Sequence, residues 1–371
     1  MARPRVRDLG LTVGRLPPGE QNSITDVAGV CVGHTTLIRG QGPLQPGQGP
    51  VRTGVTIILP HDGNLFQRKV RAAVHTINGF GKVAGFEQVR ELGVVEAPIA
   101  LTNTLNVGLV ADALVQYMIR QNPEIGVSTD SINVVVGETN DGQLNDLQGR
   151  HVRAEHVWAA IEGASPGAVA EGAVGAGTGT SCYGWKGGIG TASRTLPGEA
   201  GGYTVGALVQ SNFGDPQDLM VCGVPVGRHI QPPEPQLGTA GDGSIMVVLA
   251  TDAPLTSRQL RRLCVRAAAG LARTGGTYGH SSGDFVVAFS TAGYVEHEPA
   301  SLTTLQTRLA DEKTVMSGLF PAVAESVEEA VLNSLFRAET VTGRDGNTRY
   351  GLPVEEVAAL VRRCQPSSGT R

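Results

Sequence analysis

Residues 241–255 read GDGSIMVVLATDAPL, a glycine-rich turn that leads into a continuous apolar segment. The run from Ile245 to Ala250 is typical of a strand that is buried on both faces. Gly243 permits backbone shapes closed to other residues, so the Gly243–Ser244 peptide could present its carbonyl group to the serine hydroxyl. An N→O acyl shift and hydrolysis would then make Ser244 a new N-terminus, whose α-amine, with a pKa of about 8, could activate its own hydroxyl. Taken alone, however, a Gly-Ser pair before a strand is usually only a turn.

The composition of the whole chain limits the class of protein to which this segment can belong. The chain has 371 residues with 51 glycines and 21 prolines, and its 40% apolar and 17% charged content is typical of a compact, turn-rich globular protein rather than a disordered one. The net charge of −4 gives no reason to expect nucleic acid or an anionic membrane as a partner. No apolar run approaches the ~20 residues of a membrane span, and no apolar segment follows the basic N-terminus, so a secretory signal is not expected.

The cysteines favour a reducing, cytoplasmic location. They are odd in number, scattered, and never form a CxxC pair, so neither a disulfide framework nor a structural zinc site is expected. The positions are Cys31, Cys182, Cys222, Cys264 and Cys364. The histidines also lack HExxH or other paired spacing, so we expect no metal.

Short β-branched and apolar runs alternate with helical periodicity along the chain. Strands are predicted at 52–60, 97–103, 131–138, 186–194, 203–212, 244–251 and 284–291, with one further strand before the 40–50 loop. Helices are predicted over 83–93, 105–121, 154–164, 257–273, 321–339 and 353–363. Thr256 and Gln259 form a capping box at the clearest helix, and Pro321 suits the first turn of another. Many buried strands mixed with helices predict an α/β protein of layered sheets covered by helices, without fixing the strand order.

A glycine-rich segment, 172–188, contains five glycines before Lys186 and invites a phosphate-loop interpretation. A P-loop needs lysine directly after glycine and then serine or threonine, whereas here Trp185 precedes Lys186 and Gly187 follows it. The dinucleotide fingerprint also fails, because no clear strand leads into the segment and no helix pattern leaves it. The favoured interpretation is a tight backbone crossing in which side chains do not fit.

Residues 279–283, GHSSG, match the GxSxG pattern literally. The nucleophile elbow of α/β-hydrolases needs a strand before the serine and a helix after it, whereas the predicted elements stand in the reverse order. A triad using Ser281 and His297 with a later carboxylate remains possible on paper, but no other feature of the sequence supports it.

Taken together, the segments in their order resemble the L-aminopeptidase/D-Ala-esterase/amidase family, often called D-aminopeptidases, which includes the β-peptidyl aminopeptidases. The resemblance covers nearly the whole chain. It rests on RVRDLGL, NSITDVAGVCVGH, LTNTLNVG, VVVGETNDGQLND, GAVGAGTGTSCYGWKGGIGTASR, VGALVQSNFG, GDGSI, ATDAPL and SSGDFVVAFSTA. It implies a four-layer αββα sandwich like that of N-terminal-nucleophile hydrolases, with a different strand connectivity.

The resemblance also implies self-cleavage within a single domain, 1–371, to give an α chain of residues 1–243 and a β chain of residues 244–371. Gly243 would end the first chain and Ser244 would be the nucleophile. Ser282 and Asp284 match the serine and acid that orient and protonate the nucleophile and leaving group.

Two further residues match the family's site. Asn212 corresponds to the side-chain donor of the oxyanion hole, and Glu138 to an acid that pairs with the substrate's free amine. Chemistry supports both roles, because acyl transfer needs a fixed donor and a cationic amine needs a carboxylate partner. Without the resemblance, Asn212 could cap a turn, and Glu138 and Asp284 could be surface charges. Relatives commonly carry tyrosine where Asn140 stands, and β-peptidyl members carry glutamate where Asp284 stands.

The sequence therefore predicts a self-processing serine aminopeptidase or amidase acting on small peptides, amides or esters without a cofactor, as a homotetramer of αβ units. Two alternatives stay open. One is an amidase for non-peptide amides, since nylon-oligomer hydrolases and ornithine acetyltransferases use similar architecture, although with threonine as nucleophile. The other is a non-catalytic binding protein of the same fold, in which loss of Ser244, Asn212 or Ser282 would be expected, whereas all three are present.

Overall fold

The computed structural model of the chain describes residues 3–233 and 243–364. Its strands are β1 (Cys31–Arg39), β2 (Val51–Leu59), β3 (Arg68–Gly79), β4 (Val94–Val95), β5 (Ile99–Asn103), β6 (Val135–Thr139), β7 (Ser181–Cys182), β8 (Trp185–Lys186), β9 (Ile189–Thr195), β10 (Thr204–Asn212), β11 (Ser244–Thr251), β12 (Gly283–Glu296), β13 (Val341–Thr342) and β14 (Thr348–Arg349). Its α-helices are α1 (Phe86–Leu92), α2 (Val107–Gln121), α3 (Ala154–Glu162), α4 (Ser257–Arg273), α5 (Glu312–Phe336) and α6 (Val354–Cys364).

Most strands belong to two sheets. The smaller sheet has the order β1-β2-β5-β6, and the larger has the order β4-β3-β12-β11-β10-β9. In the larger sheet β11 runs antiparallel to β10 and parallel to β12. The end of β10 therefore lies beside the beginnings of β11 and β12.

The described residues form three apolar cores, which separate four layers. One core joins the two sheets, with Ile58 and Leu101 from the smaller sheet meeting Met246 and Val248 from the larger. The second joins the larger sheet to α4 and α5, and the third joins the smaller sheet to α2 and α3. The order of layers is helix, sheet, sheet, helix, which confirms the αββα sandwich.

All six predicted helices are present, but α5 begins at Glu312 rather than at residue 321. Pro321 therefore lies inside the helix and not in its first turn, so that prediction is wrong. The missing proline N–H costs one helical hydrogen bond. Burial of Val315, Met316 and Leu319 in the core against the larger sheet favours the additional turns in spite of this loss.

The strand β3 was not predicted, although it lies inside the larger sheet, between β4 and β12. Its sequence RKVRAAVHTING carries four basic or imidazole side chains and no continuous apolar run. Val70, Ala72 and Val74 alternate into the core between the sheets, while Ala73 faces the helix layer. The small alanine and the long arginine stems hide this two-sided burial from a hydropathy pattern.

The glycine-rich segment is a tight backbone crossing, as predicted. A Cβ atom at Gly179 would lie 2.1 Å from the carbonyl oxygen of Arg52, and one at Gly188 would lie 1.9 Å from that of Gly172. Side chains therefore cannot be accommodated where these backbones meet. Within 3–233 and 243–364, no helix has the length and apolarity needed to cross a bilayer.

Candidate active site

Sheet register brings the predicted residues together at one end of the larger sheet. Asn212 is the last residue of β10 and pairs directly with Ser244, the first residue of β11. Ser244 pairs in turn with Gly283, the first residue of β12. Directly paired residues project their side chains from the same face of a sheet, so the Asn212 amide and the Ser244 hydroxyl are neighbours.

One backbone N–H holds both the serine and the carbonyl before it. The Gly283 N–H approaches Ser244 Oγ at 3.3 Å and the Gly243 carbonyl oxygen at 3.2 Å. Ser244 is buried, and a Cβ atom at Gly243 would lie 2.5 Å from the Cα of Phe213. The Gly243–Ser244 peptide is thus confined between the ends of β10 and β12, where only glycine fits before the serine.

The Asn212 side chain has a defined orientation. Its Oδ1 accepts a hydrogen bond of 3.0 Å from the N–H of Ser181 in β7. Because the Ser181 N–H can only donate, the side-chain atom that faces it is the amide oxygen. The Nδ2 group, which carries the two N–H donors, is left free to bind another acceptor. The half-buried asparagine can therefore donate to an oxygen that develops negative charge near Ser244.

Ser282 and Asp284 form a buried pair beside Gly283. Ser282 Oγ donates a hydrogen bond of 2.7 Å to Asp284 Oδ1, while Asp284 Oδ2 has no hydrogen-bond partner among the described residues. Burial raises the pKa of Asp284 to about 6, although the bond from Ser282 opposes the rise. Burial, with the nearby Asp284 charge, also raises the pKa of Tyr278 to about 12. The pair lines a small cleft whose apolar walls include Ile245 and Leu271.

Glu138 reaches the same place from the smaller sheet. It lies in β6, is 3% exposed, and its Oε1 accepts a hydrogen bond of 2.9 Å from the N–H of Lys82. A Cβ atom at Gly81 would lie 3.2 Å from that Oε1 and 3.3 Å from the Cα of Gly283. Burial raises the pKa of Glu138, and the bond from the Lys82 N–H, the Lys82 charge and the Thr104 side chain oppose the rise. Within the described ranges Glu138 Oε2 has no hydrogen-bond partner.

Asn140 does not share this burial. It is exposed, and its Oδ1 accepts a hydrogen bond of 2.9 Å from the N–H of Gly142 in the turn that follows β6. In this structure the side chain shapes a turn at the surface.

The alternative site in GHSSG is not assembled. Ser281 precedes β12 and His297 follows it, so a 14-residue strand separates them by roughly 45 Å, at about 3.3 Å per residue. His297 instead hydrogen bonds through Nε2 to Thr129 Oγ1 at 2.7 Å. A triad of Ser281 and His297 is therefore excluded.

The sequence did not indicate the backbone donors. The N–H groups of Ser181, Lys82 and Gly283 orient Asn212, Glu138 and Ser244, respectively. No residue type marks a backbone N–H, and each donor comes from a segment distant in sequence from the group it holds. Across the part of the chain that the structure describes, no cluster of histidine, cysteine or acidic side chains could hold a metal ion.

Two stacked sheets between helix layers, with serine, asparagine and carboxylate groups gathered at one end, are the layout of an αββα hydrolase. The chain belongs to peptidase family S58, whose family model matches residues 22–349. It is a hydrolase, a serine aminopeptidase of this family.

The relatives agree over almost their whole lengths. The β-peptidyl aminopeptidase BapA of Sphingosinicella microcystinivorans is 43% identical over 97% of this chain and 92% of its own. The solved PH0078 protein from Pyrococcus horikoshii is 50% identical, with a TM-score of 0.92 over 97% of this chain and 99% of its own. The L-aminopeptidase D-Ala-esterase/amidase from Ochrobactrum anthropi is 39% identical, with a TM-score of 0.88 over 97% and 99%, and is described as a serine aminopeptidase prototype and a new variant of the Ntn hydrolase fold.

Proposed function

We propose that this aminopeptidase processes itself at the Gly243–Ser244 bond and then uses Ser244 as an N-terminal nucleophile. The observation that carries the proposal is the Gly283 N–H, which lies within hydrogen-bond distance of both the Gly243 carbonyl oxygen and Ser244 Oγ. The same donor polarises the carbonyl to be attacked and positions the attacking hydroxyl.

The cleavage proceeds as an acyl shift. Ser244 Oγ attacks the carbonyl carbon of Gly243, the bond from that carbon to the Ser244 nitrogen breaks, and the nitrogen takes the hydroxyl proton. An ester now joins Gly243 to Ser244 Oγ. Water adds to the ester, releases Gly243 as a carboxylate and restores the hydroxyl. The single domain then consists of residues 1–243 and 244–371.

Substrate hydrolysis uses the amine that cleavage exposes. The α-amine of Ser244 takes the proton from Oγ as Oγ attacks the substrate carbonyl, and Asn212 Nδ2 donates to the resulting oxyanion. The leaving amine takes the proton now held by the Ser244 α-ammonium group, and Ser282, held by Asp284, relays it as the bond from the substrate carbonyl carbon to that amine breaks. The acyl–Ser244 ester is then hydrolysed by water. The amide orientation set by Ser181 and the Ser282–Asp284 bond support these roles.

Glu138 is proposed to bind the substrate's free amine. Its Oε2 is buried without a partner among the described residues, and its Oε1 is fixed by Lys82, so the carboxylate is poised for a cation. We infer that the substrates are small peptides, amides or esters with an unblocked N-terminus. The names of the relatives, β-peptidyl aminopeptidase and L-aminopeptidase D-Ala-esterase/amidase, make β-, L- and D-residues the first candidates.

A panel of L-, D- and β-aminoacyl amides, each with its N-acetylated counterpart, tests this function. We expect hydrolysis of unblocked members and poor turnover of blocked ones, with no activity in Ser244→Ala. Equal hydrolysis of blocked and unblocked amides would contradict the aminopeptidase assignment of the site. Activity in Ser244→Ala would remove Ser244 as the nucleophile.

A homotetramer of αβ units and a reducing, cytoplasmic location complete the proposal. All five cysteines are free thiols, two of them fully buried. Large apolar side chains at the surface, including Phe80, Leu302 and Leu305, support burial between subunits.

A further inference from the structure

Lys186 is a fully buried cation that the proposed reaction does not use. Its Nζ donates hydrogen bonds to the carbonyl oxygens of Gly177 at 2.8 Å, Thr180 at 2.8 Å and Gly187 at 2.7 Å. All three donors of the ammonium group are therefore used on backbone. Burial lowers the pKa of Lys186 to about 7, and the charge of Asp141 opposes the fall. Burying an ammonium group is costly, so this cage of carbonyls is what retains it there.

The three carbonyl groups that Lys186 binds lie in one turn, residues 177–187, and this turn also holds Asn212. Thr180 is followed directly by Ser181, whose N–H fixes Asn212 Oδ1 at 3.0 Å. Gly187 is followed directly by Gly188, whose carbonyl oxygen accepts a hydrogen bond of 2.9 Å from the N–H of Ser211, the neighbour of Asn212 in β10.

The turn also continues past Asn212 on its other side. The N–H of Tyr183 donates a hydrogen bond of 2.7 Å to the carbonyl oxygen of Phe213. Residues 180–188 thus contact the chain before, at and after Asn212, and the Lys186 ammonium binds carbonyl groups from both ends of this turn.

We propose that Lys186 is a positioning residue for Asn212, holding the turn of residues 177–187 so that the Ser181 N–H fixes the asparagine amide toward Ser244. The inference rests on the proposed role of Asn212 as oxyanion donor. Lys186 is distant from the substrate in this scheme and acts only through the backbone that it gathers.

Loss of the ammonium group should affect the transition state and spare the ground state. Lys186→Met keeps an unbranched side chain, one atom shorter, but removes the three donors, so the Thr180 and Gly187 carbonyls separate and Ser181 shifts. A misplaced oxyanion donor lowers kcat, whereas the amine contact at Glu138 continues to set substrate binding. We expect kcat to fall about tenfold to a hundredfold, with KM changed by less than about twofold.

A double-mutant cycle separates this role from a general structural one. Activity is measured for Lys186→Met, Asn212→Ala and the double variant, on protein shown to be folded by circular dichroism. If Lys186 acts through Asn212, adding Lys186→Met to Asn212→Ala lowers kcat by less than about twofold. Lys186→Gln, which keeps two donors, should lose less activity than Lys186→Met. Lys69→Met is the matched control, because Lys69 is an ion-paired lysine in β3 whose partner is Glu96, and its kcat should be unchanged.

Each other outcome overturns the inference. If the fold-losses in kcat of the two single variants multiply in the double variant, Lys186 acts on the site by another route. An unchanged kcat in Lys186→Met would show that Lys186 has no role in catalysis. Failure of both Lys186 variants to fold would assign the residue to folding alone. Normal activity in Asn212→Ala would instead refute the proposed oxyanion donor, an outcome distinct from failure of the Lys186 link.

Discussion

At the scale of single residues, burial sets the chemistry of the two carboxylates. Asp284 has only Ser282 as a hydrogen-bond donor, and Glu138 has the Lys82 N–H, with one oxygen of each carboxylate lacking a partner among the described residues. A charged group placed in this way reduces stability in the absence of a ligand and gains from a cation or a proton. Buried carboxylates with shifted pKa values are typical of functional sites.

The raised pKa of Asp284 predicts opposite pH effects on activity and stability. The wild type should lose kcat/KM as the pH falls through about 6, because the carboxylate is the active form. Because the pKa of Asp284 is higher in the folded state than in the unfolded chain, the folded protein binds this proton more tightly. The resulting contribution to stability is fully present below the unfolded pKa of about 3.8 and is lost as the pH rises through about 6.

Asp284→Asn should therefore melt at a higher temperature than its parent at about pH 8 and at the same temperature near pH 4. Both proteins carry Ser244→Ala, so that cleavage does not differ between them. In the otherwise wild-type chain Asp284→Asn should have little activity at any pH. An equal or lower melting temperature at about pH 8 would show that the buried charge has a partner.

For Glu138 we expect a selective loss against free amines. Glu138→Gln keeps the shape but removes the charge, so kcat/KM for unblocked substrates should fall about tenfold to a hundredfold, the usual cost of one hydrogen bond to a charged group. Turnover of N-acetylated substrates should not change. Glu355→Gln, at an exposed acid on α6, is the control. Equal losses for blocked and unblocked substrates would place Glu138 outside the amine contact.

At the scale of elements, the sequence predicted what depends on strong local patterns and missed what depends on packing. The run Ile245–Ala250 and the Thr256 capping box predicted β11 and α4, and both begin where expected. The sequence did not predict the strand β3, because packing from the neighbours on both faces, and not its own hydropathy, determines its burial. Residues of the proposed site came from the family resemblance, whereas the N–H groups that orient them depend on register between distant segments.

Helix α5 gives a stability prediction at this scale. Arg194 in β9 is completely buried and binds Glu329 at 2.6 Å and Glu325 at 3.2 Å, which ties the helix to the edge of the larger sheet. Arg194→Met leaves Glu325 buried without its cationic partner, whereas Glu329 keeps its ion pair with Arg7 at 2.7 Å. The free energy of unfolding should therefore fall by about 3 kcal/mol, the lower end of the cost of removing one partner from a buried pair. Urea unfolding in the uncleaved Ser244→Ala background measures it.

The matched control for Arg194 is an exposed ion pair. Arg90 pairs with Glu87 within α1, and both side chains are largely exposed. Arg90→Met should change the free energy of unfolding by less than about 1 kcal/mol. Similar effects of the two substitutions would mean that the buried pairs contribute no more than the surface pair.

At the scale of the whole molecule, the proposed assembly accounts for apolar surface on the described chain. Leu302 and Leu305 are fully exposed in a segment without regular structure that precedes α5. Light scattering should give four times the 38.6 kDa of one chain, with both fragments present in equal amounts. The mass of a single αβ unit at all concentrations would contradict the tetramer.

The cut at Gly243–Ser244 gives the last prediction, because it concerns a covalent bond in the middle of an intact fold. Ser244 begins a strand that is buried along its whole length, and Gly243 sits where a Cβ would collide with Phe213, so the peptide between them is held while its carbonyl contacts Gly283. Mature protein should therefore separate on a denaturing gel into residues 1–243 and 244–371, and Edman sequencing of the smaller fragment should read Ser-Ile-Met-Val-Val.

Under native conditions the fragments should stay together, since β11 lies between β10 of one fragment and β12 of the other. Ser244→Ala should remain one inactive chain, Ser244→Cys should cleave slowly, and Ser281→Ala, the matched control in GHSSG, should cleave normally. Full activity in a chain that stays intact would refute the mechanism.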